Sequence, residues 1–62
     1  MITEEEFRTA LNDGLKKFGI SPQKMAQILK TPAGTVTRWM YGHSAPAEPR
    51  RQEIVDYFKN KK

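Results

Sequence analysis

The sequence predicts an all-α protein, a compact bundle of four helices, or of five if Ala47 and Glu48 form a short extra turn. Apolar residues recur at the three- and four-residue spacing of helices, and proline or glycine stands at the segment boundaries. The chain has 62 residues and no cysteine, so it is near the lower size limit for independent folding and has no disulfides to help. We therefore expect residues 1–62 to form a single domain.

The first helix is predicted to begin after Thr3, because Thr3 and Glu6 have the spacing of a capping box. Gly19 is expected to close this helix. Its apolar residues follow helical spacing: Phe7, Ala10, Leu11, Leu15 and Phe18.

The second helix is predicted to begin at about Pro22, with Ser21 as its cap. Pro32 disfavours helical angles at Thr31, so this helix should stop near Lys30. One apolar stripe is expected from four residues: Met25, Ala26, Ile28 and Leu29.

The third helix is predicted to run from Pro32 to Tyr41, with Thr31 as its cap and Gly42 ending it in a left-handed conformation. Val36 and Trp39 should face the core, since their spacing places them on one face. After Pro46 and Pro49 a last helix is predicted, whose apolar side comprises Ile54, Val55, Tyr57 and Phe58.

The segment Ser21 to Pro46 thus predicts two short helices joined by a tight turn, with residues suited to a steep crossing. Its pattern resembles the DNA-binding domain of the Cro/CI repressor family, also called the XRE family, which has the lambda-repressor-like fold. The residues that carry the resemblance are Met25-Ala26, Leu29, the run Thr35-Val36-Thr37-Arg38-Trp39, Gly42 and Pro46. The resemblance implies a helix-turn-helix whose second helix, about residues 32–41, enters the major groove of double-stranded DNA.

Two positions depart from the family pattern. Lys30 stands where the family usually has glycine, and a left-handed backbone there would carry about 1 kcal/mol of strain. Pro22 stands where the family favours a glutamine that clamps a phosphate, so Gln23 or Ser21 would have to take over that contact.

The charge distribution agrees with a nucleic-acid-binding surface. The net charge is +4, and all seven acidic residues lie outside the stretch from Gly14 to Ala47. Unopposed positive charge is what a phosphate-facing surface needs, although a short acid-free stretch also arises by chance. The cations within this stretch are Lys16, Lys17, Lys24, Lys30 and Arg38.

The resemblance also assigns candidate DNA contacts. Arg38 is the strongest candidate for reading a base, because its forked guanidinium matches the two acceptors of guanine; a phosphate contact or a solvated side chain are the alternatives. The base-reading candidates are Ala33, Gly34, Thr37 and Arg38. The candidates for the DNA backbone are Ser21, Gln23, Lys24, Thr35, Tyr41, His43 and Ser44.

Other function classes find little support in the sequence. The single histidine, His43, has no carboxylate near it in sequence, and no cysteine or phosphate-binding glycine loop is present, so we expect neither an enzyme nor a metal or cofactor site. No apolar run approaches a membrane span, and we expect a cytoplasmic protein at the nucleoid.

The expected function is sequence-specific DNA binding by a small transcriptional regulator of phage, prophage or bacterial type. The alternatives are a helical protein-protein adaptor and an accessory protein that needs a partner to bind DNA. In solution we expect a monomer or weak homodimer that pairs on a two-fold DNA site, because the last helix offers little apolar surface beyond its own core residues.

Overall fold

Four α-helices follow one another in the computed structural model, which describes residues 2–61. They are α1 (Glu4–Phe18), α2 (Pro22–Leu29), α3 (Ala33–Met40) and α4 (Arg50–Asn60). No strand occurs among these residues, so the predicted all-α class is confirmed. A turn at residues 48 and 49 takes the place of the fifth helix that the sequence left open.

The ends of α1 follow from local hydrogen bonds. Thr3 Oγ1 accepts from the Glu6 N–H, and the Thr3 N–H donates to Glu6 Oε1 at 2.8 Å, so the predicted capping box forms. That backbone donor lowers the pKa of Glu6. At the other end Gly19 has φ 64°, and the Ile20 N–H donates to the Leu15 carbonyl at 2.9 Å, which satisfies one of the last helix carbonyls.

The turn between α2 and α3 repeats this arrangement with a lysine in place of glycine. Lys30 has φ 56° and ψ 48°, and the Thr31 N–H donates to the Ala26 carbonyl at 2.9 Å. The turn is therefore left-handed at Lys30, which carries the steric strain of that conformation. Arg50 Nη2 donates to the Leu29 carbonyl at 2.7 Å, so α4 also helps to close the end of α2.

The start of α3 differs by one residue from the sequence prediction. Pro32 is the N-cap, with an extended ψ of 143°, and Ala33 is the first helical residue. The prediction that Thr31 caps the helix and Pro32 begins it was wrong, because Pro32 keeps its own backbone extended. The helix ends at Met40 with Tyr41 as its C-cap, one residue before the predicted end, and Gly42 follows with the expected left-handed φ of 79°.

The core is formed by one cluster of apolar side chains from all four helices. Phe7 and Trp39 meet edge to face with ring centroids 5.8 Å apart, which joins α1 to α3. Ile28, predicted to lie on the apolar stripe of α2, is 36% exposed and outside this core, because it lies on the same flank as Lys24. The buried residues are Phe7, Leu11, Leu15, Met25, Ala26, Val36, Trp39, Ile54, Val55 and Phe58.

Helix α4 is fixed to the start of the chain by two side chains. Glu48 Oε1 accepts from the Gln52 N–H at 2.9 Å, and its Oε2 accepts from the Ile2 N–H at 3.1 Å. Arg51 donates to the carbonyls of Ile2 and Pro46, at 2.6 and 3.0 Å. The backbone donor of Ile2 is the main cause that lowers the pKa of Glu48.

Candidate nucleic-acid interface

Helix α3 buries one face and exposes the other. Val36 and Trp39 are buried, whereas Gly34 and Arg38 are exposed and Thr37 is half-buried. A rotation of 100° per residue places Gly34, Thr37 and Arg38 together on the side opposite the core. Three of the four base-reading candidates therefore share one surface, and the fourth, Ala33, is exposed at its N-terminal end.

The guanidinium of Arg38 lies back toward the start of α3. Its Nη2 donates to Thr35 Oγ1 at 3.2 Å, and a β-carbon at Gly34 would lie 3.7 Å from its Nη1. This is the direction in which long helical side chains usually point. The guanidinium of Arg38 thus lies over the first turn of α3, where Ala33 and Gly34 have little or no side chain.

The N-terminus of α3 has no side-chain cap, because Pro32 offers no acceptor. The first N–H groups of a helix lack intrahelical partners and carry partial positive charge. They lie beside Ala33 and Gly34, both exposed. Thr37 Oγ1 donates to the Ala33 carbonyl at 3.2 Å, so its hydroxyl hydrogen is used within the helix while its oxygen can still accept.

A second group of candidates lies at the start of α2, where Ser21, Gln23 and Lys24 are all exposed. Ser21 Oγ accepts from the Lys24 N–H at 3.1 Å and caps the helix as predicted. Its hydroxyl hydrogen is still free to donate to a ligand. Among residues 2–61, no side-chain hydrogen bond joins this group to the candidates on α3.

The loop after α3 carries the third group. Tyr41 is 67% exposed, and its ring centroid lies 6.4 Å from that of His43. His43 and Ser44 are exposed as well. The loop is anchored because the His43 N–H donates to the Arg38 carbonyl at 2.9 Å and the Gly42 N–H to the Trp39 carbonyl at 3.2 Å.

Two residues of α1, Arg8 and Asn12, also belong to this region, although no sequence pattern predicted them. Asn12 Nδ2 donates to the Met40 carbonyl at 2.9 Å and so fixes the end of α3 against α1. Arg8 lies against Gly42: a β-carbon there would lie 2.6 Å from Arg8 Nη1. Residues 8 and 12 are four apart, so the helical spacing alone predicts that they share one flank of α1. No local pattern predicts the Met40 carbonyl and the Gly42 loop that they contact.

The electrostatics of the surface combine the predicted cations with two carboxylates. Lys24, Lys30 and Arg38 are exposed, as expected for the acid-free stretch. Folding nevertheless brings Glu4 and Glu5 near the loop after α3, where they line a cleft together with Arg8, Gly42 and Ser44. The positive charge is therefore opposed at this end of the surface, which the linear distribution of charge did not indicate.

Neither a group of three side chains suited to a metal ion nor a helix long and apolar enough to cross a membrane occurs within residues 2–61. No protein-family model, curated protein sequence or solved structure matches the chain.

Proposed function

We propose that the protein binds double-stranded DNA sequence-specifically as a small transcriptional regulator of the Cro/CI type, with α3 in the major groove. The observation that carries this proposal is the exposed face of α3, formed by Gly34, Thr37 and Arg38 opposite the buried Val36 and Trp39. This helix follows α2 through a left-handed turn, and no acidic residue occurs in either helix. A short helix presented in this way fits the groove.

Base reading would depend chiefly on Arg38. Its bond to Thr35 uses one nitrogen, and the guanidinium has further donors that match the N7 and O6 acceptors of guanine. Ala33 offers a methyl group for a thymine methyl, and Gly34 would let the helix backbone approach the DNA. Thr37 can accept from a base amino group through its hydroxyl oxygen.

Phosphate contacts would come from both sides of α3. Ser21, Gln23 and Lys24 are exposed at the start of α2, while Tyr41, His43 and Ser44 are exposed in the loop that follows α3. Thr35 is half-buried and bonded to Arg38, so it would bind a phosphate only through its remaining donor. Such contacts set affinity and orientation rather than sequence preference. On this proposal the protein acts at the nucleoid and needs no cofactor.

A protein-protein adaptor is the second candidate, and one observation favours it. Helices α1 and α4 enclose a shallow apolar groove beside the half-exposed ring of Phe18. The groove is lined by Ala10, Asp13, Gly14, Lys17, Phe18, Val55, Phe58 and Lys59. The apolar residues of α4, namely Ile54, Val55 and Phe58, are buried in the core, so the free apolar surface that the groove offers is small.

Selection of binding sites from random double-stranded DNA tests the proposal directly. We expect enrichment of a short motif containing guanine, with an affinity that falls steeply as salt rises. Binding without enrichment would reduce the function to non-specific DNA association. If the protein shows neither enrichment of a motif nor salt-dependent binding, the proposal is contradicted and the adaptor is favoured.

A further inference from the structure

Arg8 differs from the other three arginines in how its charged group is used. Arg38, Arg50 and Arg51 each donate a hydrogen bond from the guanidinium to an oxygen of the protein. Among residues 2–61, the Arg8 guanidinium donates to none. It is nevertheless positioned, because its side chain lies across Gly42, 3.2 Å from Cδ to where a β-carbon would be.

Gly42 leaves the space that this position of the Arg8 side chain occupies. Gly42 has φ 79°, a conformation that glycine adopts without strain, and a side chain there would displace the Arg8 guanidinium. One residue thus ends α3 and makes room for a cation from α1. The result is an arginine placed against Gly42 and in one cleft with Ser44, in the loop whose residues Tyr41, His43 and Ser44 are predicted to contact phosphate.

We propose that Arg8 binds a DNA backbone phosphate in the cleft that it forms with Gly42 and Ser44, an inference that rests on the proposed DNA-binding function. The guanidinium supplies charged donors, and the Ser44 hydroxyl, exposed at the edge of the cleft, supplies a neutral one. Helix α1 then takes part in DNA binding together with α2 and α3, and its arginine adds a positive charge beside the loop after α3.

The two carboxylates of the cleft modulate this contact. Glu4 and Glu5 precede Arg8 by four and three residues on α1, so they lie on its side of the helix and attract its charge when no phosphate is bound. Their repulsion of an incoming phosphate weakens binding. Removing either carboxylate should therefore strengthen DNA binding, whereas removing Arg8 should weaken it.

The salt dependence of binding to a short mixed-sequence DNA duplex tests the proposal. Arg8→Gln should lower affinity roughly three- to tenfold on every sequence and reduce the slope of log affinity against log salt by about one phosphate contact. Arg8→Lys, which keeps the charge, should retain the slope. Glu5→Gln should tighten binding. Lys59→Gln is the matched control, because it removes a cation from the groove on the opposite flank of α1 and should leave the slope unchanged.

The outcomes distinguish the role proposed for Arg8 from the DNA-binding function on which it rests. If the parent protein binds DNA with a steep salt slope and Arg8→Gln has the same slope, only the proposed role of Arg8 is overturned. An equal loss in Arg8→Gln and Lys59→Gln overturns it as well, since the effect would then be one of net charge. A parent protein without salt-dependent DNA binding overturns both proposals. Circular dichroism and thermal melts check that each variant is folded.

Discussion

Arg38 is the only charged side chain of α3, and its guanidinium covers the small residues at the start of that helix. We predict that Arg38→Ala costs about 1–3 kcal/mol of binding free energy on the preferred site and removes discrimination at one base pair. Arg38→Lys should keep the salt dependence but lose the discrimination, because an ammonium lacks the planar fork. Titrations on the selected site and on single-base variants measure both effects. An equal loss on all sequences would reassign Arg38 to a phosphate.

Two glycines in helices have opposite surroundings, which makes them a matched pair. A β-carbon at Gly14 would lie 2.5 Å from Phe58 Cδ1, whereas at Gly34 the nearest atom would be 3.7 Å away. Alanine in a helix is favoured over glycine by about 0.5–1 kcal/mol. Overpacking a core costs about 1–3 kcal/mol, so at Gly14 this cost outweighs the gain in helix propensity. At Gly34 there is room for a β-carbon, and only the gain applies.

We predict that Gly34→Ala raises the free energy of unfolding by about 0.5–1 kcal/mol and yet weakens DNA binding, because the added methyl group keeps the DNA from the helix. Gly14→Ala should destabilise the fold. Chemical denaturation and DNA titration of both variants give the comparison. A Gly34→Ala protein with unchanged affinity would show that DNA does not approach the helix at this position.

At the scale of the elements, the four helices and most of their ends could be predicted because the signals are local. The residues that mark the helix ends act on backbone groups within a few residues along the chain: Thr3 with Glu6, Ser21 with Pro22, Gly19 and Gly42. Contacts between elements could not be predicted. Asn12 meets a carbonyl 28 residues away and Glu48 an N–H 46 residues away, and no local pattern encodes such a pair.

The left-handed turn at Lys30 is the strained junction of the two central helices. We predict that Lys30→Gly stabilises the protein by about 0.5–1 kcal/mol, because relief of about 1–2 kcal/mol of left-handed strain exceeds the entropy cost of glycine. Lys30→Ala is the control, since it removes the same charge and keeps the β-carbon. Equal unfolding free energies of the two variants would mean that the turn holds little strain.

The junction between α4 and the start of the chain should respond to pH. Because the pKa of Glu48 is lowered in the folded state, the unfolded state binds the proton more tightly. The contribution of Glu48 to stability is therefore lost as the pH falls below the ordinary glutamate pKa of about 4.3. We predict that Glu48→Gln is less stable than the parent at neutral pH and that the difference shrinks toward pH 3. Denaturation at several pH values tests this, with the exposed Glu53→Gln as control. A difference independent of pH would mean that Glu48 acts without its charge.

At the scale of the whole molecule, the small size of the domain limits how its surface can be used. Ile54, Val55 and Phe58 of α4 are between 1 and 9% exposed in the single chain, and Tyr57 is half-buried against the same core. These are the residues from which a dimer interface on α4 would otherwise be built. Stable homodimers usually bury more apolar surface than the part of α4 that is still exposed can offer.

If the protein binds DNA as proposed, the number of copies on one site depends on the small apolar surface left on α4 and on the short exposed face of α3. One eight-residue helix with alanine and glycine at its leading positions reads few base pairs, so specificity should require two copies in successive major grooves, about 34 Å apart. We predict a monomer or weak dimer in free solution that pairs cooperatively on a two-fold site, because the DNA aligns two copies whose own interface is small. Sedimentation of the free protein and titrations on half-sites and full sites measure this. A tight dimer without DNA, or equal affinity for both kinds of site, would contradict the model.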